Sequence, residues 1–228
     1  MSIATSAEPP PIGPADNGKL MTAEEFDAVT DYDGNYVYEL IQGVLVVSPV
    51  SEPALRDSNE ELGCLLRRHF ERNPETLHKT IYGEYIRTAD SRRRAGRVIW
   101  AGLGRVPSPK SDIPTIVVEF VSKIRRDRQR DYVFKGDEYC GLGVSEYWII
   151  DRFQRCLTVF RKTEKSTYEE ITISENESYQ TVLLPGFELP LAQILSGRRL
   201  GRRRLMTRRV CETHPSTRET VCFTHPTT

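Results

Sequence analysis

The chain has 228 residues, of which 38% are hydrophobic and 28% charged, and its formal net charge is zero. This composition is typical of a single soluble globular domain. No apolar run approaches the roughly 18 residues that a membrane helix needs, and the N-terminus lacks the basic and apolar regions of a secretory signal. The five cysteines form no C-x-x-C pair, which argues against a disulfide scaffold or a zinc site. We therefore expect a cytoplasmic protein with reduced thiols and no membrane partner.

Composition changes at both ends of the chain. Residues 1–19 are rich in Pro, Ala and Gly, which predicts a loose, disordered leader. Residues 197–228 carry eight Arg against two Glu and predict a solvated, disordered basic tail. The part before the tail is then net acidic and has no general electrostatic attraction for nucleic acid. The folded domain is predicted to lie between residues 20 and 196.

Apolar periodicity and turn residues predict a mixed set of helices and strands. In chain order they predict a helix at 22–29, a hairpin of strands 37–41 and 44–48, a helix at 58–73, strands at 79–87, 97–103 and 115–122, a helix within 123–144, strands at 145–151, 156–161, 168–173 and 180–184, and a short helix within 184–195. Thr22 and Glu25 match a capping box at the first helix, and Ser58 is a plausible N-cap of the second. Glu39 interrupts the first strand of the hairpin. The alternation rule alone leaves open whether Glu39 faces solvent.

A second carboxylate, Glu119, stands in the middle of the apolar run 115–122. The run is too apolar for an edge strand and too short for a membrane span, which predicts a buried central strand. Period two places Val117, Glu119 and Val121 on one face of it. An ionised Glu in such a strand is costly unless it is paired or binds a cation. Two interpretations stay open: an ion pair with a nearby Arg, and a metal ligand.

The charged segment after this strand predicts a crossover helix. Asp131, Lys135 and Tyr139 are spaced at i, i+4 and i+8, so they share one helix face. Gly141 and Gly143 are expected to stop the helix. A strand–helix–strand unit is right-handed in nearly all proteins, and its helix lies over one face of the sheet.

Six segments occur in an order more specific than any one of them. They are MTAEEFDAV, YELIQGVLVVSP, RVIWAGLG, TIVVEFVS, RDYVFKGDEYCGLGVSEYWIID and LPGFELPLAQIL. Over roughly residues 20–196 this order resembles the Uma2 family, also known as DUF820, which is similar to the PD-(D/E)xK nucleases. The resemblance implies an α/β (α+β) fold with a restriction-endonuclease-like mixed sheet flanked by helices, preceded by an N-terminal helix and hairpin. It also implies a divalent metal and endonuclease activity on phosphodiester bonds.

The resemblance assigns roles to three residues. Glu119 matches the acid of the E-x-K strand, and Lys135 in the next helix stands for the Lys that this strand lacks at Val121. Glu39 matches the Glu of the Y-E-L-I-x-G segment. The implied catalytic set is Glu39, Glu119 and Lys135, with both Glu residues as ligands of Mg²⁺ or Mn²⁺. In such sites the metal neutralises charge on the phosphate and lowers the pKa of a bound water, while the Lys stabilises the developing negative charge. DNA is the implied partner. A homodimer is an open expectation, because many nucleases that cut both strands are two-fold dimers.

One family position lacks its acid. The first metal-binding Asp of the family precedes the strand that reads RVIW here, where this chain has Ala95-Gly96-Arg97. Loss of a charged ligand should weaken Mg²⁺ binding and impair activity. A substitute acid could come from Glu39 or Asp112.

Two other functions stay open. A non-catalytic relative would bind nucleic acid or a protein through basic surfaces near Arg92–Arg94 and Arg125–Arg130. A small interaction domain would keep Glu119 and Lys135 as a buried ion pair, which can be close to neutral for stability.

Overall fold

The computed structural model describes residues 11–50, 53–121, 135–165 and 167–196. The helices are α1 (Ala23–Ala28), α2 (Pro53–Arg72), α3 (Lys135–Leu142) and α4 (Leu191–Ser196), and a turn of 3₁₀ helix lies at Pro14–Asp16. The strands are β1 (Tyr36–Ile41), β2 (Val44–Pro49), β3 (Leu77–Tyr82), β4 (Tyr85–Arg87), β5 (Arg92–Arg94), β6 (Arg97–Ala101), β7 (Ile116–Phe120), β8 (Glu146–Asp151), β9 (Cys156–Lys162), β10 (Tyr168–Ser174), β11 (Ser178–Tyr179) and β12 (Leu189–Pro190).

Six strands form the main sheet, in the order β10-β9-β8-β7-β6-β3. β7 and β8 are parallel and the other neighbours are antiparallel, so the sheet is mixed. A second sheet has the order β2-β1-β5-β4, and β11 and β12 form a short ribbon. β7 has neighbours on both sides, which confirms the predicted central strand. Its parallel partner β8 confirms the strand–helix–strand unit.

Helices cover the main sheet on both faces. Ile116 and Val118 of β7 pack in one apolar cluster with Leu62 of α2. Val117 packs in a second cluster with Tyr139 of α3. The alternation predicted for this strand is therefore confirmed.

Two glycines let one long hairpin pass from the main sheet into the four-stranded sheet. β3 continues into β4 through Gly83, whose φ is +64°, and the Gly83 N–H donates to the Gly96 carbonyl at 3.1 Å. Gly96 joins β5 to β6 on the other side of the hairpin. The predicted single strand 79–87 is therefore wrong, because it bends at Gly83 into two strands of different sheets. Since β1 pairs with β5 and β7 pairs with β6, the bend brings the two sheets together.

The local signals at the N-terminal elements are confirmed. The Glu25 N–H donates to Thr22 Oγ1 at 3.1 Å, and the Thr22 N–H donates to the Glu25 carboxylate at 2.8 Å, so the capping box is complete. β1 and β2 form the predicted hairpin. Its turn residues Gln42 and Gly43 have φ of 49° and 77°, the left-handed conformations that a two-residue hairpin turn requires.

Two local predictions are wrong, and a third is confirmed for one of its two glycines. α2 begins at Pro53 rather than after Ser58, and proline is favoured in the first turn of a helix. Gly141 lies inside α3 and does not stop it, whereas Gly143, with φ of +96°, directly follows the last residue of the helix, as predicted. Residues 180–184, predicted to be a strand, form turns and irregular structure instead. There the Thr181 hydroxyl donates to the buried carboxylate of Glu146 at 2.9 Å, and the chain turns.

The predicted leader is partly ordered. The Gly18 N–H donates to the Leu45 carbonyl at 2.7 Å, and the Leu45 N–H donates to the Lys19 carbonyl at 2.8 Å, so this segment pairs with the edge of β2. Residues 1–10, the tail 197–228 and residues 122–134, which include Asp131 of the predicted crossover helix, lie outside the described residues. None of the helices in the described ranges is long and apolar enough to cross a membrane.

Replacing Thr22 with Ala should lower the free energy of unfolding by about 1 kcal/mol, because the Glu25 N–H loses its side-chain acceptor. Chemical denaturation would measure the change. Thr22→Ser is the matched control, because serine keeps the accepting oxygen and should stay close to wild type. Equal stability of the Ala and Ser variants would contradict a role for the cap.

Candidate active site

Glu119 and Lys135 form a buried ion pair. Lys135 Nζ donates to Glu119 Oε1 at 2.6 Å, and their side chains are only 2% and 9% exposed. Glu119 lies near the end of β7 and Lys135 is the first residue of α3. The two groups that the family resemblance singles out therefore converge on one face of the main sheet. Their catalytic roles stay a prediction.

Glu39 is the third member of this cluster. Its Oε1 lies 4.0 Å from Lys135 Nζ, and the residue is 3% exposed. The alternative in which Glu39 faces solvent is therefore wrong. Glu39 belongs to β1 of the four-stranded sheet, whereas Glu119 belongs to the main sheet. The cluster thus lies where the bent hairpin joins the two sheets, and α3 supplies its cation.

Backbone amides orient both carboxylates. The Arg94 N–H donates to Glu39 Oε1 at 3.0 Å, and the Gly96 N–H donates to Glu119 Oε2 at 3.2 Å. Both amides belong to the segment that crosses from β5 to β6. Two carboxylates and one ammonium carry a formal charge of −1, so the cluster favours a further cation.

The phenol of Tyr139 lies on α3 one turn after Lys135, and it is fully buried. Burial raises the pKa of Tyr139 well above its usual range; the nearby Glu119 raises it further, whereas Lys135 lowers it. The phenol therefore stays protonated and is a hydrogen-bond donor. Its Oη has no hydrogen-bond partner within the part of the chain that the structure describes.

Gly96 stands where the family has its first metal-binding Asp, and neighbouring atoms leave little space for a side chain at this position. Arg97 pairs with Val118 across the antiparallel strands, which makes Gly96 the neighbour of Glu119. A Cβ on Gly96 would lie 2.9 Å from the Val118 carbonyl oxygen and 3.1 Å from Phe120 Cδ2. Backbone atoms thus occupy the room that the first atom of an aspartate side chain would need.

Asp112 does not replace the missing acid. Arg105 holds its carboxylate through contacts of 2.6 Å, and the Ser108 N–H donates to it at 2.7 Å, in the loop after β6. The same contacts lower the pKa of Asp112 to about 2. Gly96 precedes β6, at the opposite end of that strand, so Asp112 belongs to another part of the fold.

The donor set of the cluster suits a hard cation. No group of three or more Asp, Glu, His or Cys side chains that could hold a metal occurs in the described ranges. Glu39 and Glu119 offer two carboxylates, and Mg²⁺ is often held by one or two carboxylates while it keeps several waters. The ammonium of Lys135 already lies 2.6 Å from Glu119, so the cluster accommodates positive charge. The residues therefore fit Mg²⁺ or Mn²⁺ with two protein ligands.

The basic surface predicted at Arg92–Arg94 is wrong for Arg92 and Arg93. Arg92 is buried and pairs with Asp27 at 2.7 Å, while Arg93 is buried and pairs with Glu138 at 2.8 Å. β5 lies between β1 and β4, and Arg92 and Arg93 tie α1 and α3 to the sheet, while the half-buried Arg94 donates to the Gly83 carbonyl at 3.0 Å. The other predicted basic surface, Arg125–Arg130, lies outside the described residues.

Sequence patterns missed Asn59, a buried residue of α2 that contacts the bend. Its Nδ2 donates to the Gly96 carbonyl at 2.7 Å, and its Oδ1 accepts from Arg97 Nε at 2.7 Å. The N–H of the same Gly96 binds Glu119, so Asn59 supports the position of this carboxylate. One signal could have found it: Asn59 stands three residues before Leu62, on the apolar stripe of α2, where a polar side chain needs a buried partner.

The fold has a known counterpart. One similar solved structure is the crystal structure, at 1.96 Å resolution, of a "putative nuclease belonging to DUF820" from Anabaena variabilis ATCC 29413. The TM-score is 0.62 at 12% sequence identity, and the match covers 78% of this chain and 98% of that chain. This likeness confirms the predicted mixed α+β fold.

Sequence comparison agrees with the fold. No curated protein matches the chain. The model of the Uma2 family, described as "Putative restriction endonuclease", matches residues 23–192. This range contains Glu39, Glu119, Lys135 and Gly96, and it covers well over half of the sequence. The chain therefore belongs to the Uma2 family.

Proposed function

We propose that this protein is a metal-dependent endonuclease that hydrolyses phosphodiester bonds in DNA, with Glu39, Glu119 and Lys135 at its centre. The observation that carries the proposal is the convergence of two buried carboxylates on one ammonium at the junction of the two sheets. Burying three charges is costly unless they are paired or bind a further ion, which supports a functional role for the cluster.

The two carboxylates would hold the metal. When bound, Mg²⁺ or Mn²⁺ supplies neutralisation of the scissile phosphate and a lower pKa for a bound water. Glu39 and Glu119 are held by the backbone N–H groups of Arg94 and Gly96, so their oxygens are oriented before any ligand arrives. Such preorganisation reduces the reorganisation that ligand binding requires.

Lys135 would act on the phosphate. Its ammonium is 2% exposed, and a charge at such a site interacts more strongly than it would in water. A cation placed beside the carboxylates stabilises the negative charge that develops on phosphate oxygens during hydrolysis. With glycine at position 96, two carboxylates remain, and we expect weak metal affinity and slow cleavage.

Plasmid and single-stranded DNA incubated with the protein over a range of Mg²⁺ and Mn²⁺ concentrations test this proposal. We expect cleavage that requires metal and falls at least ~100-fold in Lys135→Met, as when one transition-state donor is removed. Lys110→Met is the matched control, because Lys110 is exposed and outside the cluster. Circular dichroism would show that both variants are folded. Unchanged cleavage in Lys135→Met would refute the assignment.

The second candidate function is nucleic-acid binding without cleavage. It is favoured by Gly96, because the 2.9 Å approach to the Val118 carbonyl leaves no room for the family acid. In that case DNA would shift in a mobility assay, the shift would weaken with salt, and no product would form at any metal concentration.

A further inference from the structure

Arg97 is a buried arginine that forms no ion pair with a carboxylate of the described residues. It opens β6 and is 6% exposed. Its Nε donates to Asn59 Oδ1 at 2.7 Å, one terminal nitrogen donates to the Asn59 carbonyl at 3.0 Å, and the other donates to Thr80 Oγ1 at 3.3 Å. All three acceptors are neutral. No Asp or Glu among the described residues forms an ion pair with Arg97.

The acceptors that Arg97 has do not use all of its donors. A guanidinium carries five N–H groups in a fixed fork, and it stays charged in proteins. The three hydrogen bonds of Arg97 leave one N–H on each terminal nitrogen. A guanidinium with spare N–H donors is suited to bind an oxyanion such as a phosphate group.

The surrounding structure is shaped to hold the guanidinium. Gly63 of α2 packs against it, and a Cβ at this position would lie 2.7 Å from a terminal nitrogen of Arg97. Glycine in the middle of a helix costs stability. The glycine therefore leaves room for a guanidinium that forms no ion pair with an acid of the described residues.

Glu60 is an acidic residue near Arg97, and its negative charge opposes the binding of an anion there. It attracts the Arg97 guanidinium electrostatically, but burial has the larger effect and lowers the pKa of Arg97 from its usual value. Glu60 is exposed, and it forms no ion pair with Arg97. Its charge should weaken anion binding by Arg97, so replacing Glu60 with a neutral residue should strengthen that binding.

We infer that Arg97 forms a phosphate-binding subsite together with Asn59 and Thr80, beside the half-exposed ring of Tyr82 that pairs with it across the sheet. The ligand is a phosphate group, either in a nucleic-acid backbone or in a free phosphate compound. The subsite does not depend on the proposed cleavage, since phosphate binding requires neither metal nor turnover. If the nuclease proposal failed, the inference would still stand or fall on its own measurement.

Thermal unfolding of the full chain in inorganic phosphate and in chloride, at constant ionic strength and without divalent metal, tests the inference. A ligand that binds the folded state raises Tm with its concentration. We expect phosphate to raise Tm of the wild type, and Arg97→Gln to bind phosphate about tenfold more weakly or worse, because two charge-assisted hydrogen bonds are lost. Glu60→Gln should bind it more tightly than wild type.

Two further variants keep the test decisive if Arg97→Gln fails to fold. Gly63→Ala pushes the end of the guanidinium aside while it keeps the charge, and Arg97→Lys keeps the charge without the fork. Both should reduce the phosphate shift. The inference is overturned if wild-type Tm is the same in phosphate and chloride, or if these variants and Arg97→Gln keep the full shift.

An oligonucleotide arm distinguishes the two sources of the phosphate. If the subsite receives a nucleic-acid backbone, a short single-stranded oligonucleotide should compete with inorganic phosphate, and Arg97→Gln should weaken its binding. If the subsite receives a free phosphate compound, the oligonucleotide should leave the phosphate shift unchanged. Either outcome supports a phosphate subsite.

Discussion

Replacing Glu119 with Gln should lower the free energy of unfolding by about 3 kcal/mol or more. The substitution removes the carboxylate 2.6 Å from the buried ammonium of Lys135 and leaves the more distant carboxylate of Glu39 at 4.0 Å, and removing one partner of a buried ion pair is strongly destabilising. Chemical denaturation at neutral pH would measure the loss. Lys135→Met should be similarly destabilising, because it leaves Glu39 and Glu119 close together without the cation between their charges.

The double variant Glu119→Gln, Lys135→Met separates the pair from its surroundings. Its loss of stability should be smaller than the sum of the two single losses, because the double variant removes both members of the pair and leaves neither one facing a substituted partner. Glu175→Gln is a control, because its pair with Arg155 lies on the surface and should contribute little. Additive losses in the cycle would show that Glu119 and Lys135 are not coupled in solution.

Restoring an acid at position 96 should cost stability before it helps to bind metal. Both Gly96→Asp and Gly96→Ala place a Cβ 2.9 Å from the Val118 carbonyl oxygen, where the backbone has to move. Overpacking of this kind typically costs about 1–3 kcal/mol. We therefore expect both variants to unfold at lower denaturant concentration than wild type. A Gly96→Ala variant as stable as wild type would show that the contact is easily relieved.

The alanine variant is the reference for the metal effect of the aspartate. Since both variants carry the same Cβ, the difference between them reports the added carboxylate. Mn²⁺ should raise Tm of Gly96→Asp more than Tm of Gly96→Ala, because a third oxygen ligand strengthens the binding of a hard cation. The same rise in both variants would show that the absent acid is not what limits metal binding.

These predictions concern one structural feature, the bend at which a hairpin leaves the main sheet. The Gly96 N–H donates to the Glu119 carboxylate, and the Gly96 carbonyl accepts from the Asn59 side chain. A change at this residue should therefore affect the orientation of Glu119 as well as local packing. The double-mutant cycle measures the stability of this cluster, and the metal titrations measure its affinity for a cation.

Several elements were predictable because short-range patterns specify them. Thr22 and Glu25 lie three residues apart, and their reciprocal hydrogen bonds form within one helical turn. Gln42-Gly43 favours a hairpin turn through its own backbone conformations. The alternation around Glu119 follows from the two-residue period of a strand. In each case the interacting groups are near neighbours in the chain.

The family resemblance singled out Glu39, Glu119 and Lys135, which lie close together in the structure, but it could not supply their distances. Those distances depend on the packing of α3 against β7 and on the pairing of β1 with β5. Both are contacts between residues far apart in the chain.

Tertiary structure alone decided the burial of Arg92 and Arg93, the bend at Gly83, and the room at Gly96. A run of arginines is the usual mark of a solvated surface, and only partners from other elements, Asp27 and Glu138, make its burial favourable. The alternating pattern at 79–87 runs on across Gly83, so it predicts one strand. Alternation shows which side chains are buried, but it does not show which sheet a strand belongs to. Sequence by itself determined the elements with short-range signals and the identity of the charged cluster. The meeting of the two sheets determined its geometry, because backbone hydrogen bonds between distant strands place each carboxylate.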